Sequence, residues 1–211
     1  MRNENSVETF EVSGLTVRIE QDTDCSSPRE NDNLGTMICW HRNYNLGDYT
    51  RKDLPYDSPQ DFQEWVDKDK ETAIVLPLYL YDHSGITMSC SPFSCPWDSG
   101  QVGYIYITKE KIRKEYSVKQ ITKKLLERVT GYLVSEVKEY DSYLTGECYG
   151  YVVEDENGKH IDSCWGFIGD IDYVRKEATD IAKHAAESIA ARARARRDSQ
   201  MDTFLNTAYA L

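Results

Sequence analysis

The sequence predicts an α+β protein in which an antiparallel sheet carries two long helices on one face. Strand-like runs cluster within residues 73–108, and apolar side chains recur at three- and four-residue steps over residues 121–140 and 171–197. Strands and helices do not alternate as they would in parallel βαβ units. With 211 residues and 40% hydrophobic side chains, the chain is long enough to build a large core.

We expect one domain over residues 1–211. Its predicted parts are an acidic N-terminal part (1–72), a central sheet core with a long helix (73–170), and a C-terminal helix and tail (171–211). No change in composition marks a second domain, and no internal repeat is present in the sequence.

The N-terminal part predicts short strands, a loop and one helix. Residues 9–20 alternate in polarity, and Ser13-Gly14 marks either a turn between two strands or a bulge within one. Residues 21–35 are polar and turn-rich, and a short strand follows at 37–40. Ser58 before Pro59 is typical of an N-cap and a first helical residue, so a helix is predicted over 59–68.

The central stretch predicts three strands and an irregular loop. The loop at 91–100 contains two prolines, which lack backbone donors and cannot join a regular ladder. Because Phe93 and Trp97 are costly to expose, we expect both to anchor this loop inward. The alternative is that the loop is a binding surface. The predicted strands span 73–81, 86–90 and 102–108.

The C-terminal half predicts helices around one hairpin. Asn157-Gly158 lies between two strand-like runs and is a strong signal for a tight turn. Phe204, Leu205, Ala208 and Tyr209 have helical spacing and predict a final turn. The predicted elements are helices at 109–115, 121–140 and about 171–197, and strands at 148–154 and 159–167.

The net charge of −11 is concentrated in residues 1–108, which hold 18 acidic and 8 basic side chains. An acidic surface repels nucleic acid and attracts protein surfaces that normally bind it, although simple solubility is an alternative explanation. We expect two acidic groups to replace phosphates in a partner: Asp22, Asp24, Glu30 and Asp32, and Asp61, Glu64, Asp67 and Asp69. The predicted binding residues also include His83, Trp97 and Asp98.

Catalytic and metal-binding alternatives have weaker sequence support. His83, Cys95 and Asp98 are the residue types of a base, a nucleophile and an orienting group, so a Cys-dependent hydrolase is one alternative. No recognised local signature surrounds Cys95. Zinc ligands could come from Cys39, His41, Cys90 and Cys95. Their spacing does not match a zinc knuckle, so we predict no metal and no cofactor, with the cysteines mostly buried as reduced thiols.

Direct contact with nucleic acid is a further alternative. The basic residues available for it are Lys109, Lys123, Lys124, Arg192 and Arg196. With Trp97 and Tyr104 as stacking rings, they would form a site for single-stranded nucleic acid. Positive charge at a helix C-terminus is also favourable on its own.

No apolar run approaches the ~20 residues of a membrane span, and the N-terminus lacks the apolar region of a secretory signal. We therefore expect no membrane contact and a location in the cytoplasm of a bacterial host.

Three segments form a recognisable pattern: DHSG at 82–85, SPFSCPWDSGQVG at 91–103 and DSCWGF at 162–167. The pattern resembles a group of uncharacterised proteins carried by phages and plasmids, over roughly residues 70–170. This resemblance implies a mobile-element origin and brings no assigned reaction. Small acidic proteins of mobile elements are often inhibitors of host defence. We therefore expect a non-enzymatic binding protein whose partner is a host nuclease or a CRISPR effector.

Overall fold

The computed structural model describes residues 5–208, with side chains through Met201, and confirms the α+β class. The chain divides into two compact units, residues 26–147 and residues 5–25 together with 148–208. Each unit has its own sheet and its own hydrophobic core. That both belong to one cooperative domain stays a prediction. No helix in this described range is long and apolar enough to cross a membrane.

The strands are β1 Ser6–Val12, β2 Leu15–Gln21, β3 Thr36–Cys39, β4 Tyr49–Thr50, β5 Thr72–Asp82, β6 Ile86–Ser89, β7 Ser99–Thr108, β8 Cys148–Glu154 and β9 His160–Ile168. The α-helices are α1 Pro59–Lys68, α2 Lys109–Glu115, α3 Lys123–Leu144 and α4 Ile171–Ala208, and a single 3-10 turn covers Pro28–Glu30.

Two hairpins build the sheet of the unit formed by residues 5–25 and 148–208. Ser13 and Gly14 have positive φ angles of 52° and 83°, so they form a two-residue turn that joins β1 to β2. Of the two alternatives at this position, the turn is therefore correct. Gly158, with φ of 75°, lies in the turn from β8 to β9, as Asn157-Gly158 predicts. Strand β2 pairs with β8 and gives the antiparallel order β1-β2-β8-β9.

Helix α4 covers this four-stranded sheet with one stripe of small and apolar residues. Val174, Ala178 and Ala182 are buried and lie four residues apart, which places them on one helix face. The helix continues beyond its predicted end near residue 197 as far as Ala208. Tyr209 of the predicted final turn lies outside the described residues.

A five-stranded sheet with the order β4-β3-β7-β5-β6 forms the centre of the 26–147 unit. All its strand pairs are antiparallel except the two-residue pair of β3 with β4. Successive residues of β7 point to opposite faces, so Ile105 packs under α3 while Tyr104 packs with Phe62 of α1. The buried stripe of α3 consists of Val129, Leu133, Val137 and Tyr140.

The arrangement of the long helices differs from the prediction of one sheet with both helices on one face. Helix α3 packs on the five-stranded sheet, and α4 packs on the four-stranded sheet. The difference arises because β8 pairs with β2, and β9 pairs with β8, so neither strand joins the central strands. Strand periodicity identifies the faces of a strand but does not identify its neighbours.

Pro77 lies in the middle of β5, where its missing N–H could interrupt a ladder. Strand β7 pairs with β5 from residue 72 to residue 81, whereas β6 pairs only with residues 79–82. Residues 72–78 of β5 are therefore an edge of this sheet within the 26–147 unit. A proline is tolerated there because alternate backbone groups need no strand partner.

Candidate functional site

Three connections at one end of the five-stranded sheet bring the unusual polar and aromatic residues together. We call this surface the loop end and define it as the turn 82–85 and the loops 40–46 and 90–98. The N–H of Asp82 donates to the carbonyl of Asp98 at 2.8 Å, which joins the turn to the longer loop. The hydroxyl of Tyr44 donates to the Asp82 carboxylate at 3.4 Å and joins the third connection to them.

The Asp98 carboxylate holds the centre of the loop end. Its Oδ2 lies 3.3 Å from Nδ1 of His83 and accepts a hydrogen bond from the Cys95 thiol at 3.7 Å. In a cysteine nucleophile site, the imidazole itself must contact the thiol. Here the Asp98 carboxylate lies between the thiol and the imidazole. The fold thus brings the three predicted residues together, but their arrangement closes the loop and does not pair the thiol with the imidazole. The Ser99 hydroxyl adds a hydrogen bond to the Cys95 carbonyl.

Trp97 is 92% exposed, so the prediction that it anchors the loop inward is wrong. Phe93 is half-buried, with its ring 5.8 Å from the ring of Tyr81. The physical reason is that Asp98 and Ser99 close the loop through polar contacts, and the loop therefore keeps its shape without a buried indole. The Trp97 side chain remains in solvent beside the residue that binds His83.

His41 and Tyr44 add a second set of rings to the loop end. The two rings stack with centroids 4.8 Å apart and an interplanar angle of 13°. Nδ1 of His41 accepts the N–H groups of Asn43 and Tyr44 at 3.3 and 3.2 Å, which fixes the orientation of the imidazole. The loop end thus presents rings held by hydrogen bonds, with the carboxylates of Asp82 and Asp98 beside them.

Helix α1 carries most of the second predicted acidic group. Ser58 caps the helix by accepting the N–H of Asp61 at 3.2 Å, as predicted. At 100° per residue, Asp61, Glu64 and Asp67 fall within an arc of about 120° on the side opposite Phe62. All three are exposed, whereas Phe62 is 1% exposed. We call these three carboxylates the α1 acidic row.

The fourth acid of this group, Asp69, already has partners within the fold. Its carboxylate accepts the N–H and the hydroxyl of Thr72 at 2.7 and 2.5 Å, and the N–H of Glu71 at 3.1 Å. The hydrogen bond from the Thr72 hydroxyl, supported by the backbone donors, lowers the pKa of Asp69. This residue fastens the end of α1 to the start of β5.

The first predicted acidic group is divided between the two units. Asp22 and Asp24 belong to the unit of residues 5–25 and 148–208, whereas Glu30 and Asp32 belong to the 26–147 unit. Asp22 accepts the N–H of Gly166 at 3.0 Å and the N–H of Asp24 at 3.1 Å, so it holds a loop against β9. The carboxylates of the other three residues are on exposed side chains.

The predicted basic residues are divided in the same way. Lys109, Lys123 and Lys124 belong to the 26–147 unit, and Arg192 and Arg196 lie on the exposed part of α4. Tyr104, the expected stacking ring, is only 7% exposed and packs against Phe62. Its expected role in nucleic-acid stacking is therefore wrong, because its ring lies on the sheet face that α1 covers.

The cysteines are all free thiols. Cys39 and Cys148 are buried, but Cys25, Cys90 and Cys95 are only partly buried and Cys164 is exposed on β9, so the prediction that most of the cysteines are buried is wrong. Burial raises the pKa of Cys39 to about 12 and also raises the pKa of Cys90. These two thiols are protonated at neutral pH, and protonated thiols are poor nucleophiles and metal ligands. Among residues 5–201, no group of three or more histidine, cysteine or acidic side chains is arranged to hold a metal ion.

Arg29 is an important residue that the sequence does not reveal. Its side chain is 3% exposed, lies 2.7 Å from Asp48 and 3.0 Å from Glu136, and donates to the Gly35 carbonyl at 2.9 Å. Burial alone would lower the Arg29 pKa, but the two carboxylates outweigh burial and raise it. The carboxylates are 19 and 107 residues away in the sequence, so no local motif could identify the cluster.

The loop end and the α1 acidic row suit different kinds of contact. Large rings with few rotatable bonds suit direct contact with a protein surface. Carboxylates spaced about 4.5 Å apart along a helix axis suit longer-range attraction of cationic groups.

Comparisons of the chain with protein-family models, with curated proteins and with solved structures found no match.

Proposed function

We propose that the protein acts by binding a protein partner through the loop end, and that the partner has a basic surface that normally binds nucleic acid. A defence nuclease of a bacterial host, such as a restriction enzyme or a CRISPR effector, fits this description. The protein would then be a mobile-element inhibitor that occupies the nucleic-acid site. The net charge of −11, the exposed rings of the loop end and the α1 acidic row support this proposal.

The exposure of Trp97 is the observation on which the proposal depends. Burying the 150–250 Å² of an indole is worth about 4–6 kcal/mol at 25 cal/mol per Å². With 92% of the side chain exposed, the fold gains almost none of this free energy. A partner with an apolar pocket would gain it on binding, and tryptophan is among the residues on which interface energy concentrates.

Charge supplies the second part of the recognition. Asp82 and Asp98 lie beside the rings of the loop end, where they would meet arginine or lysine side chains around the partner's pocket. The α1 acidic row would accelerate the encounter with a basic surface without adding much to the lifetime of the complex. Salt at physiological concentration would reduce this acceleration because the row is exposed.

The test is capture of partners from a bacterial host lysate on the immobilised full chain, before and after nuclease digestion. We expect the captured protein to survive nuclease digestion, to be lost with Trp97→Ala, and to remain with the control Trp165→Ala. Trp165 is 46% exposed and lies in the other unit. The purified partner should then lose its nucleic acid when the wild-type chain is added, but not when the Trp97→Ala chain is added.

Two results would contradict the proposal. One is capture that disappears with nuclease digestion, together with a gel shift of single-stranded DNA or RNA by the purified chain. That result would favour the single-strand-binding alternative. The other is equal capture by wild type and Trp97→Ala.

The triple variant Asp61→Lys, Glu64→Lys, Asp67→Lys should slow association at low salt, with little effect on dissociation.

A further inference from the structure

A cleft of about 500 Å³ opens between β5, α2 and the start of α3. It lies in the 26–147 unit, at the end of β5 opposite the loop end. Its walls carry the cationic side chains of Lys109, Arg113 and Lys119, and none of its lining residues is acidic. This concentration of positive charge stands out in a chain whose net charge is −11.

The three cations are only partly satisfied by the protein. Lys109 donates to the carbonyl of Lys70, which leaves two of its three N–H donors available. Arg113 lies 4.0 Å from Glu71, and both side chains are well exposed, so their attraction is weak. Lys119 has no ion-pair partner within the described part of the chain and is exposed.

The neighbouring helix end adds to the positive charge. Helix α3 begins with Lys123 and Lys124, and its first turn contains no acidic residue. The positive end of a helix dipole is normally balanced by acidic side chains. Here it adds to the field of the lysines. An anion in the cleft would be attracted by the side chains and by the helix together.

The rest of the cleft is suited to the body of an organic molecule. Ala73, Ile121 and Leu126 give it an apolar floor, and Gln120 adds an amide that can donate and accept hydrogen bonds. The volume falls within the 300–1,000 Å³ that is usual for small-molecule sites. Inorganic phosphate alone would leave this floor uncovered.

We propose that this cleft binds an organic phosphate of about nucleotide size. The phosphate lies among Lys109, Arg113 and Lys119, with the guanidinium able to donate two parallel hydrogen bonds to it. The apolar body lies over Ile121 and Leu126. Glu71 is the natural competitor, since its carboxylate lies 4.0 Å from the Arg113 guanidinium. The site is independent of the loop end and goes beyond partner binding there.

The test is isothermal titration calorimetry of the full chain with ADP, pyrophosphate and adenosine. We expect ADP to bind more tightly than pyrophosphate, and adenosine to show no measurable binding. Lys119→Gln and Arg113→Gln should each weaken ADP binding about tenfold, because each removes a charged donor. Glu71→Gln should tighten binding about two- to fivefold by releasing Arg113. All of these positions are exposed, so the variants should fold.

Lys138→Gln is the matched control because it removes one exposed lysine from the far part of α3. It should leave ADP affinity unchanged. The proposal is overturned if ADP fails to bind at concentrations of about 1 mM. It is also overturned if Lys138→Gln weakens binding as much as Lys119→Gln does, since the loss of affinity would then follow from the change in net charge and not from a contact in the cleft. Binding of single-stranded oligonucleotides without binding of ADP would refute a small-molecule site and identify the cleft as part of a nucleic-acid surface.

Discussion

Replacing Arg29 by methionine should strongly destabilise the 26–147 unit. Methionine keeps much of the side-chain volume but removes the charge and every guanidinium hydrogen bond. The carboxylates of Asp48 and Glu136, which are 21% and 14% exposed, would then have lost the cation that they both contact. Each would still accept backbone N–H groups, from Met37 and from Leu34 and Gly35, so neither could turn fully into solvent.

The magnitude follows from the burial of this cluster. Removing one partner from a buried ion pair costs about 3–5 kcal/mol, because the remaining charges stay buried and unpaired. For a chain of 211 residues this corresponds to a fall in Tm of about 6–20 °C. Arg18→Met is the matched control. Arg18 also contacts two carboxylates, Glu20 and Glu154, but its side chain is 27% exposed and it belongs to the other unit. Its loss should cost about 1 kcal/mol.

Thermal unfolding followed by circular dichroism, together with urea titration, measures both variants. If the two units unfold in separate transitions, Arg29→Met should shift one of them and Arg18→Met the other. Adding Asp48→Asn and Glu136→Gln to Arg29→Met should restore part of the lost stability by removing the unpaired charges. A fall in Tm of less than about 3 °C for Arg29→Met would refute the view that this cluster holds the unit together.

Three further predictions concern other positions. Gly103→Ala should cost about 3 kcal/mol in thermal unfolding, because the new Cβ would lie 2.0 Å from a carbonyl oxygen of β3, whereas Gly100→Ala, with nothing within 4 Å, should be tolerated. Trp97→Ala should change the free energy of unfolding in urea by less than about 0.5 kcal/mol, and a larger loss would mean that the indole packs inward. Alkylation of the native chain at neutral pH should label the exposed Cys164 and spare Cys39, whose pKa is raised to about 12 by burial; early labelling of Cys39 would contradict this.

Local signals in the sequence predict much of the secondary structure. The cap at Ser58 and the proline after it place α1 at residues 59–68, as observed. The turn at Asn157-Gly158 likewise places the β8–β9 hairpin. These signals succeed because caps and turns are satisfied by residues within a few positions of one another.

The features that sequence reasoning misses depend on contacts between distant residues. Alternating polarity in β8 does not show that β2 is its neighbour, so the division into two sheets remains hidden. The pairing of Arg29 with Glu136 has no local signature. The exposure of Trp97 depends on whether polar contacts can close the 91–100 loop. Hydrophobicity alone predicts a buried indole. Composition marks the 91–100 loop as unusual, but only the fold places His41 and Tyr44 at the same end of the sheet.

Pro77 has a consequence for how the protein behaves in concentrated solution. The segment around it, TAIVLPLYLYD, is apolar, rich in β-formers and nearly uncharged, which is the composition of segments that form fibrils. An open strand edge of this kind is a template on which another molecule can add a strand. A proline interrupts such a template because it offers no donor at its position. Pro77→Val should therefore keep the fold but raise light scattering at high protein concentration. The proline ring at this position thus opposes aggregation.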